Sequence, residues 1–201
     1  MHIYIFSPSG AVRDKAALRR AVKHFAKQGH DVELDPDALS SEQRFAGDDD
    51  TRLLAMARAA ASGADVVMLT RGGYGITRLM KKMPYKAIAA SIKQSTLWVG
   101  HSDFTALQMG LLAKTGAHTW AGPHACADFG ALAVDDIMQD CFDDMVQGRG
   151  EGVQPLSLCA AQRCSCPPPR SHCLLPQGLH YTPVWNVSGA YHGQHVGHWV
   201  A

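Results

Sequence analysis

Residues 64–75 read ADVVMLTRGGYG, and this stretch decides the fold. Its first half is an almost uninterrupted apolar run, which is typical of a strand buried on both faces of a parallel sheet. Its second half is a glycine-rich turn that leads into the helical pattern ITRLMKKM at 76–83. A buried strand that turns sharply into a helix is the repeating unit of an α/β protein.

The same unit occurs on both sides of this stretch. Upstream, residues 2–9 (HIYIFSPS) are a strand-like run, and Asp14 can begin a helix that ends at Gly29. Downstream, residues 95–100 (STLWVG) and 117–123 (AHTWAGP) are strand-like, and each precedes a helical pattern. Because strand and helix alternate, we predict an α/β domain of the Rossmann or flavodoxin-like class, with an open, mostly parallel sheet and helices on both faces.

One further helix is predicted between the first two buried strands. Residues 51–63 read TRLLAMARAAASG, and Asp49 or Asp50 is expected to cap this helix at its amino end.

Composition excludes several classes of protein. The 201 residues are 46% hydrophobic and 18% charged, as in soluble globular domains, and the formal net charge is +1. A chain without a basic excess has no global field for nucleic acid or anionic lipid, so neither is expected as a partner. No apolar run reaches membrane-spanning length and the first residues do not resemble a signal peptide, so the cytoplasm is the expected location.

The last fifty residues have a different composition. Residues 152–201 contain no Asp, Glu, Lys, Ile or Phe, yet they contain four of the six cysteines and six of the ten prolines. We therefore divide the chain into an α/β domain at 1–151 and an irregular tail at 152–201. One hypothesis is that the reading frame changes after about Leu156; sequencing the locus would test it.

Neither histidines nor cysteines of the tail have the spacing of a metal site. Cys159, Cys164, Cys166 and Cys173 lack the paired C-x2-C of zinc ribbons. His192, His195 and His198 recur every third residue without the glutamate of H-E-x-x-H. We expect no metal and no cofactor.

Three loops should meet at the carboxyl ends of the strands, where open α/β sheets bind ligands: residues 7–10, 71–75 and 100–103. Glycines there allow backbone N–H groups to approach an anion or a developing oxyanion closely. The GGYG turn matches neither GxGxxG nor a P-loop, so it is not typical of a nucleotide site. A plain turn remains the alternative.

Residues 99–110 (VGHSDFTALQMG) contain the candidate nucleophile, Ser102. A serine between a buried strand and a helix is the setting of a nucleophile elbow, although the second glycine of G-x-S-x-G is missing. The alternative is that Ser102 or Asp103 merely caps the helix. The only histidine of the α/β domain that is placed to act as its base is His124, because the His101 side chain should point away from its neighbour.

Taken in order, four motifs resemble one family. They are I-x-I-x-x-P-S-G at 3–10, L-T-R-G-G-Y-G-x-x-R-L-M at 69–80, V-G-H-S-D-F-T-A-L-Q at 99–108 and T-W-A-G-P at 119–123. Together they are similar to the LD-carboxypeptidases, also called muramoyltetrapeptide carboxypeptidases. The resemblance covers about residues 3–150.

The resemblance implies a cytoplasmic serine peptidase of murein recycling that uses no metal. It would remove the terminal D-alanine from a murein tetrapeptide, and a homodimer is a candidate assembly. By resemblance, Ser102 is the nucleophile, the N–H groups of Asp103 and Gly73 form the oxyanion hole, and Arg71, with Gly72 and Tyr74, binds substrate.

Two departures from the family pattern affect the expected activity. His101 replaces the family's usual aromatic residue before the serine. The family's histidine base and its glutamate belong to a C-terminal domain that residues 152–201 do not match, so acylation by this chain is expected to be slower by several orders of magnitude. Two alternatives stay open: a self-immunity peptidase that cleaves microcin-type adenylates, and a non-catalytic α/β module that binds peptides or anions.

Overall fold

The computed structural model describes residues 1–149 and the backbone of residues 198–200. The strands are β1 (His2–Phe6), β2 (Asp31–Leu34), β3 (Val66–Leu69), β4 (Leu97–Val99), β5 (Thr119–Ala121) and β6 (His198–Val200). The α-helices are α1 (Lys15–Lys27), α2 (Asp49–Ala61), α3 (Ile76–Leu79), α4 (Tyr85–Lys93), α5 (Thr105–Thr115) and α6 (Asp136–Val146). A 3₁₀ turn (Ser102–Phe104) precedes α5, and a π-helical turn (Ala125–Phe129) follows β5.

The strands form one open sheet in the order β2-β1-β3-β4-β5-β6. The first five are parallel, and β6 pairs with β5 in the antiparallel direction. The predicted open, mostly parallel α/β sheet is therefore confirmed. Strand β6 is a regular element inside the tail that was predicted to be irregular. The rest of that prediction, and the boundary at residues 151 and 152, lie outside the described residues.

Helices cover both faces of the sheet, as predicted. The side chains of β1 alternate, so that Ile3 and Ile5 pack with α1 and α6 while Tyr4 and Phe6 pack with α2, α4 and α5. All four are at most 2% exposed. Burial of each such side chain contributes about 1.5–3 kcal/mol, so the sheet is held mainly by its two apolar layers.

The first two long helices begin at aspartate caps. Asp14 accepts hydrogen bonds from the N–H groups of Ala16 and Ala17, as predicted. The cap of α2 is Asp48, however, and not Asp49 or Asp50. Asp48 has an extended backbone and accepts from the Thr51 N–H at 2.7 Å, whereas the two following aspartates already lie in the first helical turn.

None of the described helices has both the length and the apolar character needed to cross a lipid bilayer.

A buried network of charged hydrogen bonds connects α2 to the end of β2. The Asp35 carboxylate receives two hydrogen bonds from Arg58, each of 2.8 Å, and one of 2.6 Å from the Tyr4 hydroxyl. Burial opposes ionisation of Asp35, but the hydrogen bonds from Arg58 and Tyr4 outweigh it and lower the pKa of this carboxyl. Burial and the adjacent carboxylate raise the pKa of Tyr4.

We expect Asp35→Ala to lower the free energy of unfolding by about 3 kcal/mol at pH 7, because Tyr4 and Arg58 lose a buried partner. The matched control is Asp37→Ala, which removes a 37% exposed carboxylate from the same arginine and should cost less than about 1 kcal/mol. Urea denaturation measures both values. Equal losses of unfolding free energy in the two variants would contradict the conclusion that burial makes Asp35 the more important partner of Arg58.

The cost of Asp35→Ala should also depend on pH. Because the folded-state pKa of Asp35 is lowered, its contribution is complete above the unfolded-state pKa of about 3.9 and disappears as the pH falls through the folded-state value. The stability difference from the unsubstituted chain should therefore narrow below about pH 4.

Candidate active site

The nucleophile candidate lies at a strained turn. Strand β4 ends at Val99, and three residues later Ser102 has φ of +62°, a left-handed conformation that favours glycine. The Ser102 side chain is exposed, and neither the 3₁₀ turn nor α5 has a side-chain cap. The helix-cap alternative for Ser102 and Asp103 is therefore wrong, and the backbone has the form of a nucleophile elbow.

The carboxylate of Asp103 joins three loops instead of capping a helix. Its Oδ2 accepts a hydrogen bond of 2.5 Å from the Ser9 hydroxyl and one of 3.1 Å from the Ile76 N–H. Ser9 is fully buried and follows β1, while Ile76 begins α3 after β3. The loops after β1, β3 and β4 thus meet at one carboxyl group, as the sequence predicted.

Gly72 allows the loop after β3 to lie directly against the nucleophile. A Cβ at this position would be 2.9 Å from the Ser102 Cβ and 3.0 Å from its Oγ. It would also be 3.3 Å from Cε1 of His124. Only a glycine fits here, and the same point is close to both the serine and the imidazole.

Two backbone N–H groups in the loops around the serine have no acceptor among the described residues. In the described part of the chain, neither Asp103 nor Gly73 donates its N–H in a backbone or side-chain hydrogen bond. Gly73 has φ of +139°, and its Cα lies against the backbone of Gly10. Unsatisfied donors beside a nucleophile suit a developing oxyanion. Their roles as an oxyanion hole stay a prediction.

His124 is brought to the elbow by the loop after β5. This imidazole is buried, and its Nε2 lies 3.3 Å from both the N–H and the carbonyl oxygen of His101. The His101 ring stacks on it with centroids 3.7 Å apart, while Nδ1 of His101 lies 2.9 Å from the Gly122 carbonyl oxygen. The His101 ring therefore packs against His124 and Gly122, and the His124 imidazole contacts the backbone that precedes Ser102. That the His101 side chain points away from Ser102 stays a prediction.

One group of side chains among the described residues has the composition of a metal site. The donor atoms of His101, His124 and Asp128 lie within 4.8 Å of one another. Donors that share one zinc ion lie about 3.4 Å apart, with each imidazole lone pair directed at the ion. The two rings are stacked with only 10° between their planes, so their lone pairs cannot converge on one ion without a ring rotation. This geometry does not support a metal centre.

Arg71 and Tyr74 flank the glycine turn and point in different directions. The Arg71 guanidinium donates to the Ala11 carbonyl oxygen at 3.2 Å, beneath the loop after β1. The Tyr74 side chain is 60% exposed, and its ring centroid lies 6.5 Å from that of Phe45. Their assignment to substrate binding stays a prediction.

Sequence reasoning missed the loop before α2 as part of this site. The Gly75 Cα lies against the Phe45 ring, because a Cβ there would be 2.6 Å from Cε1 of that ring. Arg52 is fully buried beneath, with its Cζ 4.8 Å from the Phe45 centroid and a hydrogen bond of 3.4 Å to the Pro8 carbonyl oxygen. The sequence pattern that could have indicated this part of the site is Arg52, an arginine on the otherwise apolar face of its helix.

The strain at Ser102 predicts an unusual order of stability. Ser102→Gly should unfold with a free energy about 0.5–1 kcal/mol higher than Ser102→Ala, because glycine adopts the left-handed conformation without a Cβ clash. Denaturant titration of both variants measures the difference.

The matched control is Ser62, which ends α2 with φ of −65°. At this position the order should reverse, and Ser62→Gly should be less stable than Ser62→Ala. The same order at both positions would show that Ser102 is not strained.

Comparisons with known proteins agree with this geometry. The family profile of the LD-carboxypeptidase N-terminal domain, peptidase family S66, matches residues 3–122. The microcin C7 self-immunity protein MccF of Escherichia coli is 33% identical over 93 residues, which are 46% of this chain and 26% of that protein.

Solved structures with the same fold include relatives of both kinds. A muramoyltetrapeptide carboxypeptidase from Oxalobacter formigenes is 34% identical with a TM-score of 0.65, and the match covers 72% of this chain and 47% of that one. An MccF-like protein from Bacillus anthracis is 26% identical with a TM-score of 0.66, covering 72% and 44%. The chain thus spans just under half of these solved relatives. With the family profile matched over most of the α/β sheet, this chain belongs to the LD-carboxypeptidase family.

Proposed function

We propose that this chain carries the nucleophile of a serine-type LD-carboxypeptidase, which removes the terminal D-alanine of murein tetrapeptides in the cytoplasm. The observation that supports this proposal best is the strained, exposed Ser102, together with the N–H groups of Asp103 and Gly73, which have no acceptor among the described residues. A nucleophile needs exposure, and a tetrahedral intermediate needs donors that are already in place.

The proposed reaction is acyl transfer. Ser102 Oγ attacks the carbonyl carbon of the penultimate residue and loses its proton to a base, and the carbonyl oxygen becomes an oxyanion held by the two N–H groups. The C–N bond then breaks, D-alanine leaves after its amine accepts the proton, and water hydrolyses the acyl-enzyme.

We do not assign His124 as the base of this reaction. Among the described residues, His124 is beside Ser102, but its Nε2 lies at hydrogen-bond distance from the His101 backbone. We therefore assign His124 to positioning the elbow, and we place the base outside residues 1–149, in agreement with the family resemblance.

A second candidate is a self-immunity peptidase. A relative with a TM-score of 0.68 and 25% identity is the microcin C7 self-immunity protein MccF in complex with aspartyl sulfamoyl adenosine. Both candidates share the serine chemistry and differ in the group that leaves. The choice therefore depends on the ligand and not on the nucleophile.

The test offers the purified full chain a murein tetrapeptide ending in D-alanine, the same peptide ending in L-alanine, and a peptidyl adenylate. We expect slow release of D-alanine only, lowered at least about 100-fold in Ser102→Ala because the nucleophile is gone. A D-amino-acid oxidase assay measures the release. Ser62→Ala is the matched control, since it changes a serine at the end of α2.

Three outcomes would contradict the proposal. D-alanine release that survives in Ser102→Ala would contradict the assignment of Ser102 as the nucleophile. Turnover of the adenylate in preference to the tetrapeptide would favour the self-immunity candidate. Binding of the tetrapeptide without any release, even after the family's C-terminal domain is fused to this chain, would favour a non-catalytic module.

A further inference from the structure

A cavity of about 400 Å³ adjoins the loops that hold Ser102. It lies between the amino end of α1 and the π-helical turn after β5, and three arginines line it: Arg13, Arg20 and Arg71. Arg71 directly precedes Gly72, the residue in contact with the serine. The cavity therefore adjoins the glycine turn that contacts Ser102, on the side where α1 lies.

The charges around this cavity are unbalanced. Arg20 donates to the Gly130 carbonyl oxygen at 2.7 Å and to Asp14 at 3.4 Å. Within residues 1–149, no carboxylate lies within 4.0 Å of the guanidinium groups of Arg13 or Arg71. Of the three arginines, only Arg20 pairs with a carboxylate of the described residues, that of Asp14.

The other residues that line the cavity do not neutralise the positive charge of these arginines. Burial raises the pKa of the Cys126 thiol to about 11, so it carries no charge at neutral pH. The other lining residues are small or apolar: Val12, Ala17, Ala127, Gly130 and Ala131. They leave room for a compact group and offer no acidic side chain.

We propose that this cavity binds a carboxylate of the ligand whose reacting carbonyl lies at Ser102, and that Arg13, Arg20 and Arg71 recognise it. A guanidinium is always charged and pairs with a carboxylate through two parallel hydrogen bonds. The assignment of this carboxylate to the substrate rests on the proposed function, since a peptide ending in a free carboxylate carries the required group.

The experiment measures protection of Cys126 from alkylation in the full chain, followed by peptide mass spectrometry at about pH 8.5 to expose some thiolate. The probes are glutarate, inorganic phosphate and neutral glutaramide, each at about 10 mM, which suits weak millimolar sites. We expect glutarate to slow Cys126 alkylation several-fold and glutaramide to have no effect. Cys141, which lies on α6 outside the cavity, is the internal control.

Arginine variants test which side chains recognise the anion. Arg13→Gln should weaken glutarate protection about 5- to 10-fold, because a charged hydrogen-bond donor is lost. Arg19→Gln changes an exposed arginine of α1 outside the cavity and should leave protection unchanged. Arg71→Gln should abolish it.

A further experiment identifies which carboxylate of the substrate enters the cavity. With Ser102→Ala, the tetrapeptide is compared with the same peptide amidated at its C-terminus. Loss of protection on amidation assigns the terminal carboxylate to the cavity, and retained protection assigns an internal one.

The proposal would be overturned if no carboxylate protected Cys126, if only phosphate did, or if Arg13→Gln and Arg71→Gln left protection intact. Its failure is separable from that of the proposed function, because alkylation does not need turnover. Protection by glutarate together with D-alanine release that survives in Ser102→Ala would support the anion site and contradict the proposed function.

Discussion

The Asp103 carboxylate is the interaction on which the site depends. It accepts hydrogen bonds from Ser9 and Ile76, so one carboxyl group joins the loops that leave β1, β3 and β4. The three strands are parallel, and their carboxyl ends therefore open at the same edge of the sheet. These hydrogen bonds hold the three loops together at this edge. They keep Ser102 in a left-handed conformation that the chain would otherwise avoid.

The second constraint is steric, and it acts through glycine. Gly72 lies so close to Ser102 and His124 that a Cβ would clash with the serine, and Gly73 approaches Gly10 with a backbone that favours glycine. The close approach brings backbone, and not side chains, against Ser102. The Arg71 guanidinium at the start of the same turn donates to the Ala11 carbonyl oxygen in the loop after β1 and lines a cavity with Arg13 and Arg20. One short turn therefore contacts both Ser102 and this cavity.

The fold could be predicted from the sequence because its signals are local. Apolar runs such as residues 64–70 can be buried only inside a covered sheet, and Phe104, Leu107 and Leu111 lie on one helix face and are all fully buried. The prediction of the α2 cap was wrong because neighbouring residues in the sequence could fill the same capping position. Three consecutive aspartates could each cap α2, and the choice of Asp48 depends on its extended backbone and its contact with Thr51. The contact of Phe45 with Gly75 joins distant parts of the chain, so no local pattern could indicate it.

The sequence by itself determined the alternation of strand and helix, the three loops at one sheet edge and the family to which their motifs belong. It left Ser102 open between a helix cap and a nucleophile, because both roles require a small hydroxyl residue between a strand and a helix. Only the tertiary structure excludes the helix cap. The positive φ of Ser102 and the distant partners of Asp103 come from packing three loops together, and residues 27 to 94 positions apart in the chain meet in that packing.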